Sequence, residues 1–440
     1  MLFMVLIYTF AIVGLFIILY FIINGYISLF VSFSYYLKER KQFLTKKKST
    51  IEKVYFYILI PALREQNVIE KTLKHISSFN YSKNKFEIIV ALDKKESSRK
   101  KDNLKTKDFI NKFILEHKSK NVKFIEYAGS AQKRAYQLNV ALEYIKKNNT
   151  HQHTFIGVYD ADSHPDLDTL KYINYKYTQD NKKVAFQQNM NYLLNSHKIK
   201  HNVVLLANAY YQTMWNYLFE INQFITTNRR ILANKKSRFP PYCMGHGEFF
   251  KLEVLTRING FSEIGPADGI QIGFTLTKNN IPIYPVPFED YCESPESLIT
   301  LYKQHTFWFF GNLTFYRILR SSKFLSIAFL QNCNHLFLAI KWALRPFLVI
   351  FVLIIFTMYN ALLFWLLIIF VWVYYLSGYL CVINFLNKNT DFKVYKLRLF
   401  GLEIPLGVFY KSLGAIHGVY KILKHIIFKK EINYHNKVER

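Results

Sequence analysis

The stretch TFIGVYDADSHPD, from Thr154 to Asp166, decides how the rest of this sequence is interpreted. Its first half is an apolar run with β-branched and aromatic residues, which is typical of a buried strand. The run ends in two carboxylates one residue apart, Asp160 and Asp162. Because Asp also begins turns and caps helices, the pair alone indicates either a metal site or a strand end that meets water.

Short apolar runs alternate with helical stretches on both sides of this segment, from Val54 to about Pro287. The pattern predicts strands at residues 54–62, 86–93, 122–128 and 154–162, and helices at 66–79 and 134–147. Such alternation predicts an α/β fold in which helices flank a mostly parallel sheet. In sheets of this kind, ligands bind outside the carboxyl ends of the strands.

Two of these strands end in acid, at Asp93 and at Asp160 with Asp162, and we expect the two strands to be neighbours. Three carboxylates that converge on one crevice repel each other unless a cation joins them, and hard oxygen ligands suit Mg²⁺ or Mn²⁺. Magnesium prefers one or two carboxylates together with substrate phosphates. The pattern therefore favours a metal site that receives a nucleotide diphosphate.

The N-terminal segment predicts a membrane anchor. From Met1 to about Phe33 no residue is charged, and this run is longer than the roughly 20 residues that cross a bilayer. It lacks the basic start and short apolar core of a cleaved signal peptide, so we expect a retained anchor. The basic stretch KERKQFLTKKK that follows places the next domain in the cytoplasm.

A second apolar block, from Pro346 to about Leu386, is too long for one crossing and suits two. The remaining C-terminal sequence mixes apolar residues with lysines, which is typical of an interfacial amphipathic helix and a basic cytoplasmic tail. The predicted organisation is an anchor at 1–33, a basic linker at 34–53, a cytoplasmic domain at 54–311, interfacial helices at 312–335, two membrane helices at 336–386, and an interfacial helix with its tail at 387–440. We therefore expect a multi-pass protein of the cell membrane.

The net charge of +28 favours a partner with negative charge. An anionic cytoplasmic leaflet suits it, and lysine-rich solvated loops account for part of it. The basic residues do not form one aromatic-interleaved groove, which argues against nucleic acid. The four cysteines include no C-x-x-C pair, so the sequence shows no zinc or redox motif and predicts free thiols.

Taken in order, the motifs resemble those of the membrane-bound inverting glycosyltransferases of family 2, which have the GT-A fold and include the cellulose, chitin and hyaluronan synthases. The resemblance covers about Val54 to Gly311. It is carried by PALREQ, by the acid that ends the second strand, by RAYQLN with Arg134 in the place of a lysine, and by the Asp-x-Asp pair. The nucleotide-sugar-binding residues that it implies are Pro61, Ala62, Glu65, Asp93, Lys133, Arg134, Asp160 and Asp162, and the last two also imply the Mg²⁺ or Mn²⁺ site.

The resemblance also implies a carboxylate base that accepts the proton of the acceptor hydroxyl. The family's Thr-Glu-Asp type of sequence corresponds here to GPADGIQIGFTL, where Asp268 is the acid. If the family motif is aligned on Gly273, Asp268 takes the position of its Glu and Gly269 takes the position of its Asp. If the motif is aligned on the residues around Asp268, Asp268 takes the position of the base. Chemistry favours Asp268, since inverting transfer requires a carboxylate on the acceptor side, with Glu263 and Glu248 as weaker substitutes.

Two further segments resemble the acceptor side of the family. MGHGE contains Gly245, His246 and Gly247, and His246 either contacts the acceptor or fills a turn. In KQHTFWFFG, Gln304 and Trp308 keep the family's Gln-x-x-Arg-Trp spacing, but Phe307 stands in the place of the arginine. Phe cannot replace the bidentate phosphate contact of a guanidinium.

We therefore expect transfer of a sugar from a nucleotide-sugar donor to a lipid-linked or surface-glycan acceptor. Among nucleotide sugars, a UDP-sugar is the donor that we expect. The missing arginine and the few membrane helices favour single transfer over a processive polysaccharide synthase. The altered motifs leave a third interpretation, a catalytically silent membrane scaffold with the same fold. The sequence does not indicate an oligomeric state.

Overall fold

The structure, a computed structural model, describes residues 2–47, 50–94, 96, 105–128, 134–237, 241–263, 268–312, 327–359, 361–389 and 403–428. The chain forms two compact units. The sheet unit comprises Tyr35–Asn191 and Gln223–Cys292, and the helical unit comprises Met1–Ser34, Tyr192–Asn222 and Glu293–Arg440.

The sheet unit contains one eight-stranded sheet flanked by helices. Its strands are β1 (Tyr55–Ala62), β2 (Phe86–Asp93), β3 (Val122–Tyr127), β4 (Thr154–Val158), β5 (His164–Pro165), β6 (Ala185–Asn191), β7 (Glu248–Lys251) and β8 (Tyr284–Tyr291). Its helices are α2 (Ile69–Ile76), α3 (Thr106–His117), α4 (Arg134–Asn148), α5 (Thr169–Gln179), α9 (Leu252–Arg257) and α10 (Asp268–Lys278). The strand order is β3-β2-β1-β4-β7-β6-β8-β5.

The first half of this sheet is parallel, as predicted. β1 pairs with β2 on one side and with β4 on the other, so that Ile58 lies beside both Ile88 and Gly157. The expectation that the strands ending near Asp93 and Asp160 are neighbours was wrong, because the chain places β2 and β3 on one side of β1 and then crosses to β4 on the other. Parallel strands end at the same edge, so both acidic ends still lie at the carboxyl edge of the sheet.

The second half of the sheet is mixed, and the prediction of a mostly parallel sheet was wrong there. β7 runs antiparallel to both β4 and β6, β6 is parallel to β8, and β5 is antiparallel to β8. β7 is only four residues long, EFFK, and it is not among the strands predicted from the sequence. A run this short carries too little periodicity to reveal a strand.

Both faces of β1, β2 and β4 are buried, which explains their nearly unbroken apolar runs. Along β1, Phe56, Ile58 and Ile60 pack into one hydrophobic cluster. Tyr57 and Leu59 point to the other face, where they pack with the apolar side of α4. Burial on both faces holds the carboxyl ends of β1, β2 and β4 in fixed positions.

The helical unit contains the first part of α1 (Leu2–Lys46), the short α6 (Ser196–Ile199), α7 (Val203–Trp215), a π-helical turn at Asn216–Glu220, α11 (Leu298–Phe310), α12 (Ile327–Tyr359), α13 (Ala361–Asn389) and α14 (Glu403–Phe428). A further helix, α8 (Ile221–Leu232), begins in this unit and ends in the sheet unit. The helix that we predicted as an anchor ending near residue 33 continues to Lys46.

The helical unit is tied together by aromatic and polar contacts. Phe33 stacks on Tyr217 with ring centroids 4.9 Å apart, and Lys411 Nζ donates to Gln212 Oε1 at 2.8 Å. Within the described residues, one segment, Ile368–Lys388, is long and apolar enough to cross a membrane by length and composition. Of the predicted interfacial region at 312–335, residues 313–326 lie outside the described residues.

Candidate active site

The Asp-x-Asp pair lies in a turn directly after β4. The backbone N–H of Asp160 donates to Ser163 Oγ at 3.1 Å, and the N–H of Ser163 donates to the carbonyl of Asp160 at 3.1 Å. The Asp160 side chain is 38% exposed, whereas Asp162 is buried. The turn thus presents one accessible and one buried carboxylate at the carboxyl edge of the sheet.

Arg134, the first residue of α4, connects this turn to the predicted base. Its Nη1 donates to Asp268 Oδ2 at 2.5 Å, and its Nη2 donates to Asp160 Oδ1 at 3.2 Å. Nη2 also donates to the carbonyl of Gly245. This arrangement, the Arg134 bridge, joins the predicted metal-site acid, the predicted base and the loop at 245–247 that we predicted to face the acceptor (the acceptor loop).

The Arg134 guanidinium keeps its positive charge because attraction to the nearby acids outweighs the cost of burying that charge. Burial lowers the pKa of the Arg134 guanidinium, but the nearby carboxylates of Asp268, Asp160 and Glu248 raise it above its ordinary value. The guanidinium is therefore a permanent cation between two acids that would otherwise repel each other.

Asp268 begins α10, and the residue after it has no room for a side chain. A Cβ added to Gly269 would lie 2.4 Å from the carbonyl oxygen of Cys243 and 2.7 Å from the backbone nitrogen of Gly245. The backbone N–H of Cys243 donates to the carbonyl of Gly269 at 2.9 Å. An acid at position 269 cannot be accommodated here without moving backbone, which leaves Asp268 as the carboxylate at the Arg134 bridge.

Glu248, one of the substitutes for the base, is a poor proton acceptor. It is fully buried in β7, and in the described part of the chain neither of its carboxyl oxygens forms a hydrogen bond. Burial, and next to it the charge of Asp268, raise the pKa of Glu248 to about 8. The other substitute, Glu263, accepts a hydrogen bond from Asn139 Nδ2 at 2.7 Å.

The acceptor loop holds His246 between two glycines with positive φ. Gly245 has φ +90° and Gly247 has φ +62°, a region that favours glycine. His246 Nδ1 lies 2.9 Å from Asp290 Oδ2 and 4.0 Å from Cys292 Sγ. Among the described residues, these three form the group of His, Cys and acidic side chains that could hold a metal ion.

Sequence reasoning missed Asp290 and Cys292. Both lie at the end of β8, where Asp290 is fully buried and Cys292 nearly so. The only signal was a pair of adjacent acids, Glu289 and Asp290, in an otherwise apolar strand, PVPFEDY, and acids in that position are ordinarily taken as a strand end. Their proximity to His246 depends on the pairing of β8 with β6, which no local pattern predicts.

On the other side of the site, Asp93 ends β2 and lines a cavity of about 280 Å³ with Lys94, Glu96 and Lys105 among others. Pro61 and Ala62 end β1, and Glu65 is half-buried in the turn after it. Glu65 donates its backbone N–H to Thr106 Oγ1 at 3.0 Å. The acids predicted to bind the nucleotide thus lie at one edge of the sheet.

Glu96, which we did not predict, holds the wall of this region in place. Its Oε1 accepts from the backbone N–H of Arg64 at 2.7 Å, and its Oε2 accepts from that of Thr106 at 3.2 Å. Arg64 has φ +58°, a left-handed conformation that costs energy for a residue with a side chain. The buried carboxylate therefore stabilises a strained turn and the start of α3.

The other predicted site residues belong to the helical unit or lie outside the described residues. Gln304 and Trp308 lie in α11 of the helical unit, where the Trp308 ring contacts Tyr192 with centroids 6.3 Å apart. Lys133 lies outside the described residues. The acceptor role of Gln304 and Trp308 and the phosphate role of Lys133 stay predictions.

Comparison with known proteins gives a family match. The model of the glycosyl transferase family group 2 matches residues 155–384, more than half of the chain. No curated protein matches the sequence.

Two solved structures are similar at a low level. The mannosyltransferase PcManGT from Pyrobaculum calidifontis, in complex with GDP-Man and Mn²⁺, has 16% identity and a TM-score of 0.48, with 92% of this chain and 99% of that chain covered. TarS from S. aureus has 14% identity and a TM-score of 0.39, with 66% of this chain and 44% of that chain covered. This chain thus spans less than half the length of TarS. A likeness at this level decides nothing about the fold, ligand or reaction of the present chain.

Replacing Glu96 by Gln is expected to destabilise the sheet unit. An amide nitrogen would face backbone N–H groups that now donate to a carboxylate, and loss of a buried hydrogen bond to a charged group costs about 1.5–3 kcal/mol. Thermal unfolding followed by near-UV circular dichroism would show a lower Tm. Glu116→Gln, at an exposed position paired with Lys112, is the matched control and should leave Tm unchanged. Equal Tm values for the two variants would contradict the role of Glu96.

Proposed function

Because the chain belongs to glycosyl transferase family group 2, we propose that it transfers a sugar from a nucleotide-sugar donor to an acceptor hydroxyl with inversion of the anomeric centre. The observation that supports the proposal is the Arg134 bridge, in which Asp160, the proposed donor-side acid, and Asp268, the proposed acceptor-side acid, share one guanidinium. Displacement at a sugar carbon needs these two functions next to each other. A UDP-sugar is the first donor to test.

The donor would bind across the carboxyl ends of β1, β2 and β4. Asp93 and Glu65 would contact its base and ribose, at the cavity that Asp93 lines. Asp160 and Asp162 supply only carboxylate oxygens, the donor set that suits Mg²⁺ or Mn²⁺ held jointly with phosphates. Such a cation, when bound, offsets the negative charge that develops on the leaving diphosphate.

The Arg134 bridge suggests an order of events. While Arg134 is held by Asp160 and Asp268, Oδ2 of the proposed base accepts a hydrogen bond from the guanidinium. A donor diphosphate offers the guanidinium phosphate oxygens, for which its planar geometry is well suited. Movement of Arg134 toward the phosphates would release Asp268 only after the donor has bound, which favours donor before acceptor.

Asp268 would then act as the general base. It accepts the proton of the acceptor hydroxyl as the hydroxyl oxygen forms a bond to the anomeric carbon, and the bond from that carbon to the diphosphate breaks. A single displacement of this kind inverts the configuration. The carboxyl of Glu248, with its raised pKa, does not compete for the proton at neutral pH.

A membrane location is supported by exposed apolar side chains on the helical unit. Phe16 and Phe30 of α1 are 67% and 75% exposed, and Phe351 and Trp365 of α12 and α13 are more than half exposed. Exposed apolar surface of this extent marks membrane or protein contact. We retain the multi-pass topology with three crossings, the cytoplasmic domain at 54–311 and a lipid-linked or surface-glycan acceptor as parts of this proposal.

Asp268→Asn is expected to lower the transfer rate by about 10²- to 10⁴-fold, because the amide cannot accept the hydroxyl proton. Glu263→Gln is the matched control, since Glu263 lies near α10 in sequence and the structure binds it to Asn139 instead. The measurement is radiolabelled sugar transfer in membranes, with donor-induced stabilisation of each variant as the test of folding. A variant that is folded, lacks Asp268 and keeps full activity would rule out the base assignment.

Asp162→Ala is expected to abolish the stabilisation that a sugar nucleotide produces in the presence of Mg²⁺ or Mn²⁺. The wild-type Tm in detergent should rise with the correct donor from a panel, and chelation should remove the rise. Asp180→Asn, at a half-buried turn position outside the site where the side chain accepts from the backbone N–H of Lys182, should behave like the wild type. Metal-independent stabilisation of the Asp162 variant would contradict the proposed cation site.

The membrane assignment is tested by alkaline carbonate extraction of cell membranes. A chain with spanning helices stays in the pellet, since alkaline buffer does not extract apolar helices from the lipid. A peripheral chain held by its basic surface is released, because charge attraction is lost under these conditions. Quantitative release would therefore contradict the spanning helices and leave the chemistry of the sheet unit unaffected.

A further inference from the structure

His246, Asp290 and Cys292 form a compact group, the His-Asp-Cys cluster, that glycosyl transfer as described above does not use. Each residue offers one ligand atom, and these atoms lie within 4.8 Å of one another. Asp290 is fully buried, Cys292 is 6% exposed and the His246 side chain is 13% exposed. A buried group of imidazole, carboxylate and thiol has the composition of a transition-metal site.

Rigid backbone positions the three ligands. The N–H of Gly247 donates to the carbonyl of Val158 at 2.7 Å, and the carbonyl of Gly247 accepts from the N–H of Gln188 at 2.6 Å. The backbone next to His246 is therefore hydrogen-bonded to both β4 and β6. The N–H of Cys292 donates to the carbonyl of Asn191 at 2.8 Å. Ligands held by the sheet itself need little reorganisation to bind an ion.

Asp290 has the surroundings of a metal-binding carboxylate. Ser163 Oγ donates to its Oδ2 at 3.0 Å, which orients the carboxylate from behind. Its other oxygen, Oδ1, is buried and has no hydrogen-bond partner in the described part of the chain. A buried carboxylate oxygen without a partner is costly, so this oxygen indicates a missing cation or donor.

The distances can be compared with a tetrahedral site. With zinc bonds of about 2.0–2.3 Å to N, O and S, neighbouring ligand atoms are roughly 3.3–3.6 Å apart. In the structure, Nδ1 of His246 lies 2.9 Å from Asp290 Oδ2 and 4.0 Å from Cys292 Sγ. These two distances differ from the ideal by about half an ångström, and all three ligand atoms lie within 4.8 Å of one another, so side-chain rotation would have to bring them to the ion.

We propose that the His-Asp-Cys cluster is a second metal site that binds Zn²⁺ and is distinct from the Asp160 and Asp162 cation site. The thiol and imidazole select a borderline ion over Mg²⁺, whereas the aspartate pair offers oxygen alone. Binding would displace the protons of the thiol and of Nδ1. Three protein ligands leave a fourth position for water or a substrate oxygen, as in catalytic zinc sites.

Metal analysis of the purified full-length chain tests the proposal without any sugar donor. Wild-type protein prepared without chelator should contain about one Zn²⁺ per chain by mass spectrometry of the metal. Cys292→Ser and His246→Gln should each bind Zn²⁺ at least about tenfold more weakly in competition with a chelator. Co²⁺ in place of zinc should give the near-ultraviolet absorption of a cobalt-thiolate bond, and Cys292→Ser should remove it.

Two controls separate this site from its neighbours. Cys243→Ser changes a buried cysteine that is not in the cluster and should keep both zinc and the cobalt absorption. Asp162→Ala should also keep zinc, while losing the cation response of the donor. Metal-free wild-type protein that also fails to take up Co²⁺, or equal zinc affinity in wild type and Cys292→Ser, would overturn the proposal and leave only a hydrogen-bonded His246 and Asp290. Donor-induced stabilisation of zinc-free protein in the presence of Mg²⁺ would show that the proposed transfer site stands independently.

Discussion

One guanidinium connects the segments on which the candidate active site depends. Arg134 comes from the start of α4, Asp160 from the turn after β4, Asp268 from the start of α10, and Gly245 from the loop before β7. Without a cation among them, the acids would repel each other at the edge of the sheet. The bridge therefore both stabilises the site before ligands arrive and makes the site sensitive to a ligand that competes for the guanidinium.

Buried acids dominate this edge of the sheet. Glu248 and Asp290 are each fully buried, and each has at least one carboxyl oxygen without a hydrogen bond among the described residues. Glu248 lowers the cost of burial by keeping its proton, as its raised pKa indicates. Asp290 has His246 and Ser163 as partners. The acids at this edge are thus stabilised in different ways, by Arg134, by protonation or by a neighbouring imidazole. They therefore differ in whether they can accept a proton or bind a cation.

The parallel half of the sheet could be predicted because its signals are local. The runs that form β1, β2 and β4 are apolar on both faces, and the predicted strand at 86–93 has the bounds of β2. The mixed half could not be predicted in the same way. β7 has four residues and β5 has two, and their pairing is decided by strands more than 30 residues away along the chain. Which strand lies beside which is a property of the whole chain, so Asp93 and Asp160 were wrongly placed on adjacent strands.

The sequence by itself determined the acids and their order. Asp93, Asp160 and Asp162 could be identified because polar residues at the ends of apolar runs stand out in any local pattern, whereas Asp268 was implied by the family resemblance. Only the tertiary structure decided which of them share a partner. The exclusion of a side chain at Gly269, the Arg134 bridge and the meeting of His246 with Asp290 and Cys292 all arise from contacts between segments distant in sequence. Such contacts depend on backbone geometry at the sub-ångström level, which residue types and spacings do not contain.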